Sequence, residues 1–157
     1  MEGAFGLRII ALGITAAIIG IAELGGEGLT ALLVDRLGKR RSVAIGFATY
    51  GVSCILLPIL STTYNGALIG LFLFFITFEF TLVCSIPLMS ELVPTARATL
   101  LAAMSSASSL GRAAGSLIGP AIFTYGITAN AITSAVMSVL ALGLILWMVR
   151  ETHQKRA

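Results

Sequence analysis

Four ionisable side chains lie inside long apolar segments of this 157-residue sequence: Glu23, Glu27, Glu79 and Arg112. A charged group in hydrocarbon costs roughly 2.5–3.5 kcal/mol on insertion scales, so each one requires a partner, a water-filled cavity or a function. Carboxylates in such a setting suit proton binding, and both signs of charge suit contact with a substrate. We therefore take these four residues as candidates for proton coupling or substrate binding.

The first pair of acids, Glu23 and Glu27, is spaced by one helical turn and therefore shares one helix face. Low dielectric and a neighbouring like charge both favour the neutral acid, so one member of the pair is expected to carry a proton. The alternative for Glu27 is a position near the cytoplasmic end, where it reaches water or Arg36.

Glu79 lies near the middle of a phenylalanine-rich segment, too deep to reach water. A proton site or a contact with a cationic ligand would explain it, and a neutral or paired acid that only holds helices together is the alternative. Arg112 requires an anionic partner, which Glu79, Glu23 or an acid on a further helix would supply. Such a pair would hold one conformation until protonation releases it, or would serve packing alone.

The elements that must position these residues are apolar segments. Hydrophobic residues make up 57% of the chain and charged residues 11%, against about a quarter charged in soluble domains. Each segment is long enough for the ~20 residues of a spanning helix and too long for a barrel strand. The sequence predicts one all-α integral membrane domain over residues 1–157, with about five transmembrane helices near 9–34, 42–61, 66–90, 98–123 and 129–149.

Lysine and arginine cluster in the connection at 36–41 and in the tail at 150–156, whereas the connector at 61–66 has none. Because basic residues flanking membrane spans stay in the cytoplasm, the pattern predicts a multi-pass protein of the inner (plasma) membrane with a cytoplasmic C-terminus, leaving Arg8 at the outer end. These cations sit at the ends of spans, so we expect no nucleic-acid partner.

Soluble-enzyme motifs are missing from the sequence, and its one histidine is in the tail. We expect no enzymatic activity, no cofactor and no metal site, and the expected partners are the lipid bilayer and a small-molecule substrate. Cys54 and Cys84 fall inside apolar segments without CxxC spacing, which favours packing over a redox role.

A glycine repeat, Gly111, Gly115 and Gly119, precedes Pro120 in the fourth segment. Small residues at four-residue intervals let another helix approach closely, and the proline favours a bend near the outer end. A packing seam is the simplest interpretation of this helix-packing motif.

The connection after the first segment resembles the cytoplasmic motif of the major facilitator superfamily. Six residues match that motif, with Ala31 in place of its leading glycine: Leu33, Asp35, Arg36, Gly38, Lys39 and Arg40. Gly115 to Pro120 is similar to the antiporter motif of the same superfamily, and the stretch from Pro87 to Arg97 resembles one of its loops.

The resemblance implies helices eight to twelve of a twelve-helix transporter, a partial C-terminal half most similar to drug and sugar efflux members. It implies proton-coupled efflux by alternating access, with a missing N-terminal half or another copy as partner. It also implies a cytoplasmic gate in which Asp35 caps the helix beginning near Pro94, close to Arg97. The alternative is a small non-transporting membrane protein that packs against partner helices through its glycines.

Overall fold

A computed structural model of the chain describes residues 9–149, which form five long helices and no strand. The prediction of an all-α protein is confirmed, and the basic tail at 150–156 and Arg8 lie outside the described residues. A short 3-10 helix, Pro94–Ala96, precedes the fourth long helix. The five are α1 (Ile9–Leu37), α2 (Lys39–Leu60), α3 (Tyr64–Leu92), α4 (Arg97–Phe123) and α5 (Ile127–Met148).

Among these, α1, α2, α3 and α5 are long and apolar enough to cross a membrane. The remaining helix, α4, is as long but falls short in apolarity because it carries several serines and Arg112. A helix of this composition needs protein or water against its polar face.

Short connections reverse the chain between successive helices. Gly38 (φ 87°) joins α1 to α2 and Gly126 (φ 100°) joins α4 to α5, and both have positive φ, which glycine adopts without a Cβ clash. At the connection between α2 and α3, the Thr63 hydroxyl caps α3 by accepting a hydrogen bond from the Gly66 amide (3.1 Å). Successive helices therefore run antiparallel.

The central helix is α3, since both α1 and α2 pack along it while α5 packs on α2. Two glycines allow the closest approaches. A Cβ on Gly26 of α1 would lie 2.8 Å from the Cβ of Glu79, and one on Gly46 of α2 would lie 2.7 Å from the Thr81 hydroxyl. Without a hydrophobic effect between helices in lipid, such close van der Waals packing is what holds them together.

Hydroxyl groups add polar links between the packed helices. Ser138 on α5 donates a hydrogen bond to the Phe47 carbonyl of α2 (2.6 Å), and Thr77 on α3 donates to the Ser53 hydroxyl of α2 (3.3 Å). The Thr30 hydroxyl of α1 lies 3.6 Å from the Cys84 sulfur of α3. The buried apolar cluster beside these links contains Val34, Val43, Phe80, Cys84, Leu88 and Val149.

The α1–α3 crossing predicts a difference between two neighbouring glycines. Gly26→Ala should lower the free energy of unfolding by about 1–3 kcal/mol, because the new methyl group meets the α3 backbone as well as Glu79. Gly28→Ala is the matched control, since nothing lies within 4 Å of its Cβ position. That variant should be neutral or more stable by up to about 1 kcal/mol.

Thermal unfolding of the full chain in detergent micelles, followed by circular dichroism, measures both variants. Equal stability of Gly26→Ala and Gly28→Ala would contradict the close crossing.

Candidate functional site

The three intramembrane acids meet at the crossing of α1 and α3. Glu23 and Glu27 lie on either side of Gly26 along α1. Gly26 lies against the α3 backbone at Ile76 and Phe80 and against the Cβ of Glu79. The Glu79 carboxylate interacts electrostatically with both α1 acids. Residues that are more than fifty positions apart in sequence thus form one acidic cluster.

Arg112 on α4 supplies the positive charge of this site. It interacts electrostatically with Glu79, so the interactions of this one carboxylate extend to each of the other three candidates. Among residues 9–149, however, Arg112 forms no ion pair, because the one described there joins Lys39 to Glu91. The expected direct pair of Arg112 with Glu79 or Glu23 is replaced by a longer-range attraction.

The site is open to the surface of the bundle on its α1 side and on its α4 side. Glu23 and Glu79 are half-buried, whereas Glu27 on α1 and Arg112 on α4 are exposed. The open region lies between α1 and α4, which do not pack closely on each other. Solvent or another protein surface can therefore reach the four charges.

The glycine motif of α4 is uncovered in the described chain. Gly111, Gly115 and Gly119 each have open space where a Cβ would be, and α4 contains no buried residue. The sequence predicted a close helix contact here, and no described helix makes it. Pro120 lies inside α4, which ends three residues later at Phe123.

At the end of the bundle where α1 joins α2, the charged connection links α2 to α3 and α5. Lys39 at the start of α2 forms an ion pair with Glu91 near the end of α3. Arg40 donates a hydrogen bond to the Leu146 carbonyl of α5 (2.7 Å), and Arg97 donates to the Ser90 carbonyl (2.9 Å). These contacts place the α1–α2 turn and the C-terminal ends of α3 and α5 on one side of the bundle.

The expected capping contact of Asp35 with the helix beginning near Pro94 stays a prediction. The 3-10 helix at Pro94 and the following α4 both begin without a side-chain cap. Asp35 and Arg36 are exposed at the end of α1, because the residues of that turn that face the bundle are apolar, Leu33 and Val34. Of the residues expected to form a gate, Lys39, Arg40 and Arg97 on α2 and α4 therefore bond to other helices, whereas the two on α1 are exposed.

Two residues that make contacts between helices, Glu91 and Tyr50, were not predicted from the sequence as functional candidates. Glu91 is the acid that holds Lys39, and its signal was an acidic residue at the end of a segment that faces a basic connection. Tyr50 of α2 stacks near Phe74 and Phe78 of α3, with ring centroids 5.1 Å and 5.8 Å away. Nothing in the local sequence distinguishes Tyr50 from the other aromatic residues.

Comparison with known proteins settles the family. A sequence model described as Major Facilitator Superfamily matches residues 1–157. The chain belongs to the major facilitator superfamily. Neither the curated proteins nor the solved structures contain a match to it. Membership in this superfamily makes the chain a multi-pass membrane protein of the transporter class, and members of that class are in general not enzymes.

The Lys39–Glu91 contact predicts a small stabilisation. The two side chains are 28% and 56% exposed, so a double-mutant cycle with Lys39→Met and Glu91→Gln should give a coupling energy of about 0–1 kcal/mol that falls with added salt. Unfolding of the four proteins in micelles at low and high salt measures this coupling. A coupling several times larger, or one insensitive to salt, would show that the pair is shielded from water.

Proposed function

We propose that this major facilitator chain contributes part of the C-terminal half of a proton-coupled efflux transporter for a small organic compound. The observation that carries the proposal is the crossing of α1 and α3 at Glu79, whose carboxylate interacts electrostatically with the acids of α1 and the guanidinium of α4. A site of this kind joins charges from three helices, so binding or release of a ligand there can change the relative positions of those helices.

The charge balance of the site favours protons or an organic cation as ligands. Three carboxylates against one guanidinium leave a net charge of −3 + 1 = −2 when all are ionised. In the low dielectric of a membrane protein this excess is costly, and a bound proton or cation reduces it. Binding of a proton and binding of the compound would then compete for the same carboxylates, which is the requirement for antiport.

Alternating access needs a second bundle that covers the open side of the site. The exposed Glu27 and Arg112 and the uncovered glycines of α4 lie where such a bundle would pack. We propose the N-terminal half or another copy of the chain for this role. The gate residues Asp35, Arg36, Gly38, Lys39, Arg40 and Arg97 would then face the cytoplasm of a cell whose plasma membrane holds the protein.

Proton coupling through Glu79 predicts a specific transport defect. In everted vesicles from cells expressing the full chain, a proton gradient should drive accumulation of the cationic dye ethidium. Glu79→Gln should weaken the dependence on the gradient by about 5–150-fold, the usual range of coupling between two ligands. Glu79→Asp keeps the carboxylate and should retain coupling.

Glu79→Gln vesicles that respond to the gradient as the unaltered protein does would contradict the role of this acid. If the unaltered protein moves no ethidium, the second candidate function gains support instead.

That second candidate is a non-transporting membrane protein that packs against partner helices. One observation favours it: the glycine face of α4 has no neighbour within 4 Å in the described chain. The same face is required by the first proposal, so only transport distinguishes the two.

The proposed orientation predicts which loops are accessible from outside the cell. With Cys54 and Cys84 replaced by alanine, Asn65→Cys should react with a membrane-impermeant maleimide in intact cells. Arg41→Cys should react only after permeabilisation, because cations at span ends are retained in the cytoplasm. Both positions are exposed in the structure, so burial does not bias the comparison. The reverse labelling pattern would invert the topology.

A further inference from the structure

A cavity of about 290 Å³ lies between α2, α3, α4 and α5, away from the acidic cluster. On α3 it is lined by Phe78, Leu82 and Ser85, whose spacing of four and three residues puts them on one helix face. Ile76 and Phe80, which contact the α1 crossing, lie on the opposite face of α3. The cavity is therefore a feature separate from the contact between α1 and α3.

The walls of the cavity are apolar and adaptable. Phe47 and Tyr50 of α2 form one side, and no lining residue carries a carboxylate or a basic group. The Tyr50 hydroxyl interacts with the Cys54 thiol of its own helix. Met89 of α3 and Met104 of α4 also line the cavity. Methionine is flexible and polarisable, so these two side chains can adjust to ligands of different shape.

The cavity offers one available hydroxyl. Thr81 donates its hydrogen bond to the Thr77 carbonyl (2.6 Å), and Ser85 donates to the Thr81 carbonyl (2.8 Å). Ser108 of α4 has no hydrogen bond within the described part of the chain. A ligand would therefore meet apolar walls and a single polar contact.

We propose that this cavity is a binding site for an uncharged, largely apolar molecule with at most one hydrogen-bonding group. Its volume is close to the lower end of small-molecule pockets, about 300 Å³, and an apolar cavity of about half that size is enough to bind benzene. Either the acyl chain of a membrane lipid or a free hydrophobic compound has this chemistry. The proposal does not depend on proton coupling or on transport.

Photolabelling of the full chain in phosphatidylcholine nanodiscs tests the site. One probe is adamantyl diazirine, a free hydrocarbon, and the other is phosphatidylcholine with a diazirine on its acyl chain. After irradiation and digestion, mass spectrometry should place the label on peptides containing Met89 and Met104. The probe that labels these peptides identifies the source of the ligand.

Two substitutions fill the cavity and one serves as control. Ser108→Phe should reduce labelling at Met89 and Met104 by about tenfold or more, the scale on which pockets reject a misfit. Ser109→Phe adds the same side chain at the exposed neighbouring position and should leave labelling unchanged. Ser85→Leu fills the cavity from α3 and decides the result if circular dichroism shows that Ser108→Phe does not fold.

The proposal is overturned if neither probe labels Met89 and Met104 more than the exposed Trp147 of α5. It is also overturned if a folded cavity-filling variant is labelled there as strongly as the unaltered chain.

Discussion

The contact between α1 and α3 at Gly26 is the constraint on which the charged site depends. A side chain at this position would collide with the α3 backbone, so only a glycine allows the two helices to approach so closely. Because Glu23 and Glu27 flank Gly26, the same contact sets their distance from Glu79. The packing of two helices and the electrostatics of the site are therefore consequences of one residue.

The cost of charge in hydrocarbon explains why α4 is packed differently from the other four helices. Helices α1, α2, α3 and α5 present apolar faces that lipid can cover, whereas α4 carries Arg112 and a face of serine and glycine. Exposure of that face to lipid would leave a guanidinium without solvation and small residues without packing partners. The open position of α4 beside the acids is therefore consistent with water or a second bundle in the region next to that helix.

The charged residues at the end of the bundle where α1 joins α2 have a different role. Lys39 and Arg40 reach Glu91 and the Leu146 carbonyl, and so connect the start of α2 to the ends of α3 and α5. Exposed ion pairs contribute little free energy, and the connection fixes relative position more than stability. Asp35 and Arg36 project from the same turn without such contacts in the described chain, which leaves them available to a neighbouring surface.

Much of the fold follows from the sequence because helix length in a membrane is set by bilayer thickness. Apolar runs of about 20 residues separated by glycine, polar or basic residues are enough to predict the five helices. The crossing at Gly26 could not be predicted in this way, since Gly13, Gly20 and Gly28 look alike in sequence and have no neighbours in the structure.

The candidate site was predictable in part. Intramembrane cost identifies Glu23, Glu27, Glu79 and Arg112 from residue type and depth alone. Their partners depend on helix rotation and separation, which residue spacing within one helix does not determine. For the same reason the ion pair of Lys39 with Glu91 does not follow from the sequence, and the cap by Asp35 stays a prediction.

Chemical cross-linking between α1 and α3 tests the central claim, that the acids of these two helices lie side by side. In the chain lacking Cys54 and Cys84, the pair Glu23→Cys and Glu79→Cys would be treated with a short bifunctional methanethiosulfonate. The account predicts an efficient intramolecular link for this pair. It predicts little linking for Leu24→Cys with Glu79→Cys, because Leu24 is 71% exposed and faces away. Equal linking of both pairs, or linking of the Leu24 pair alone, would contradict it.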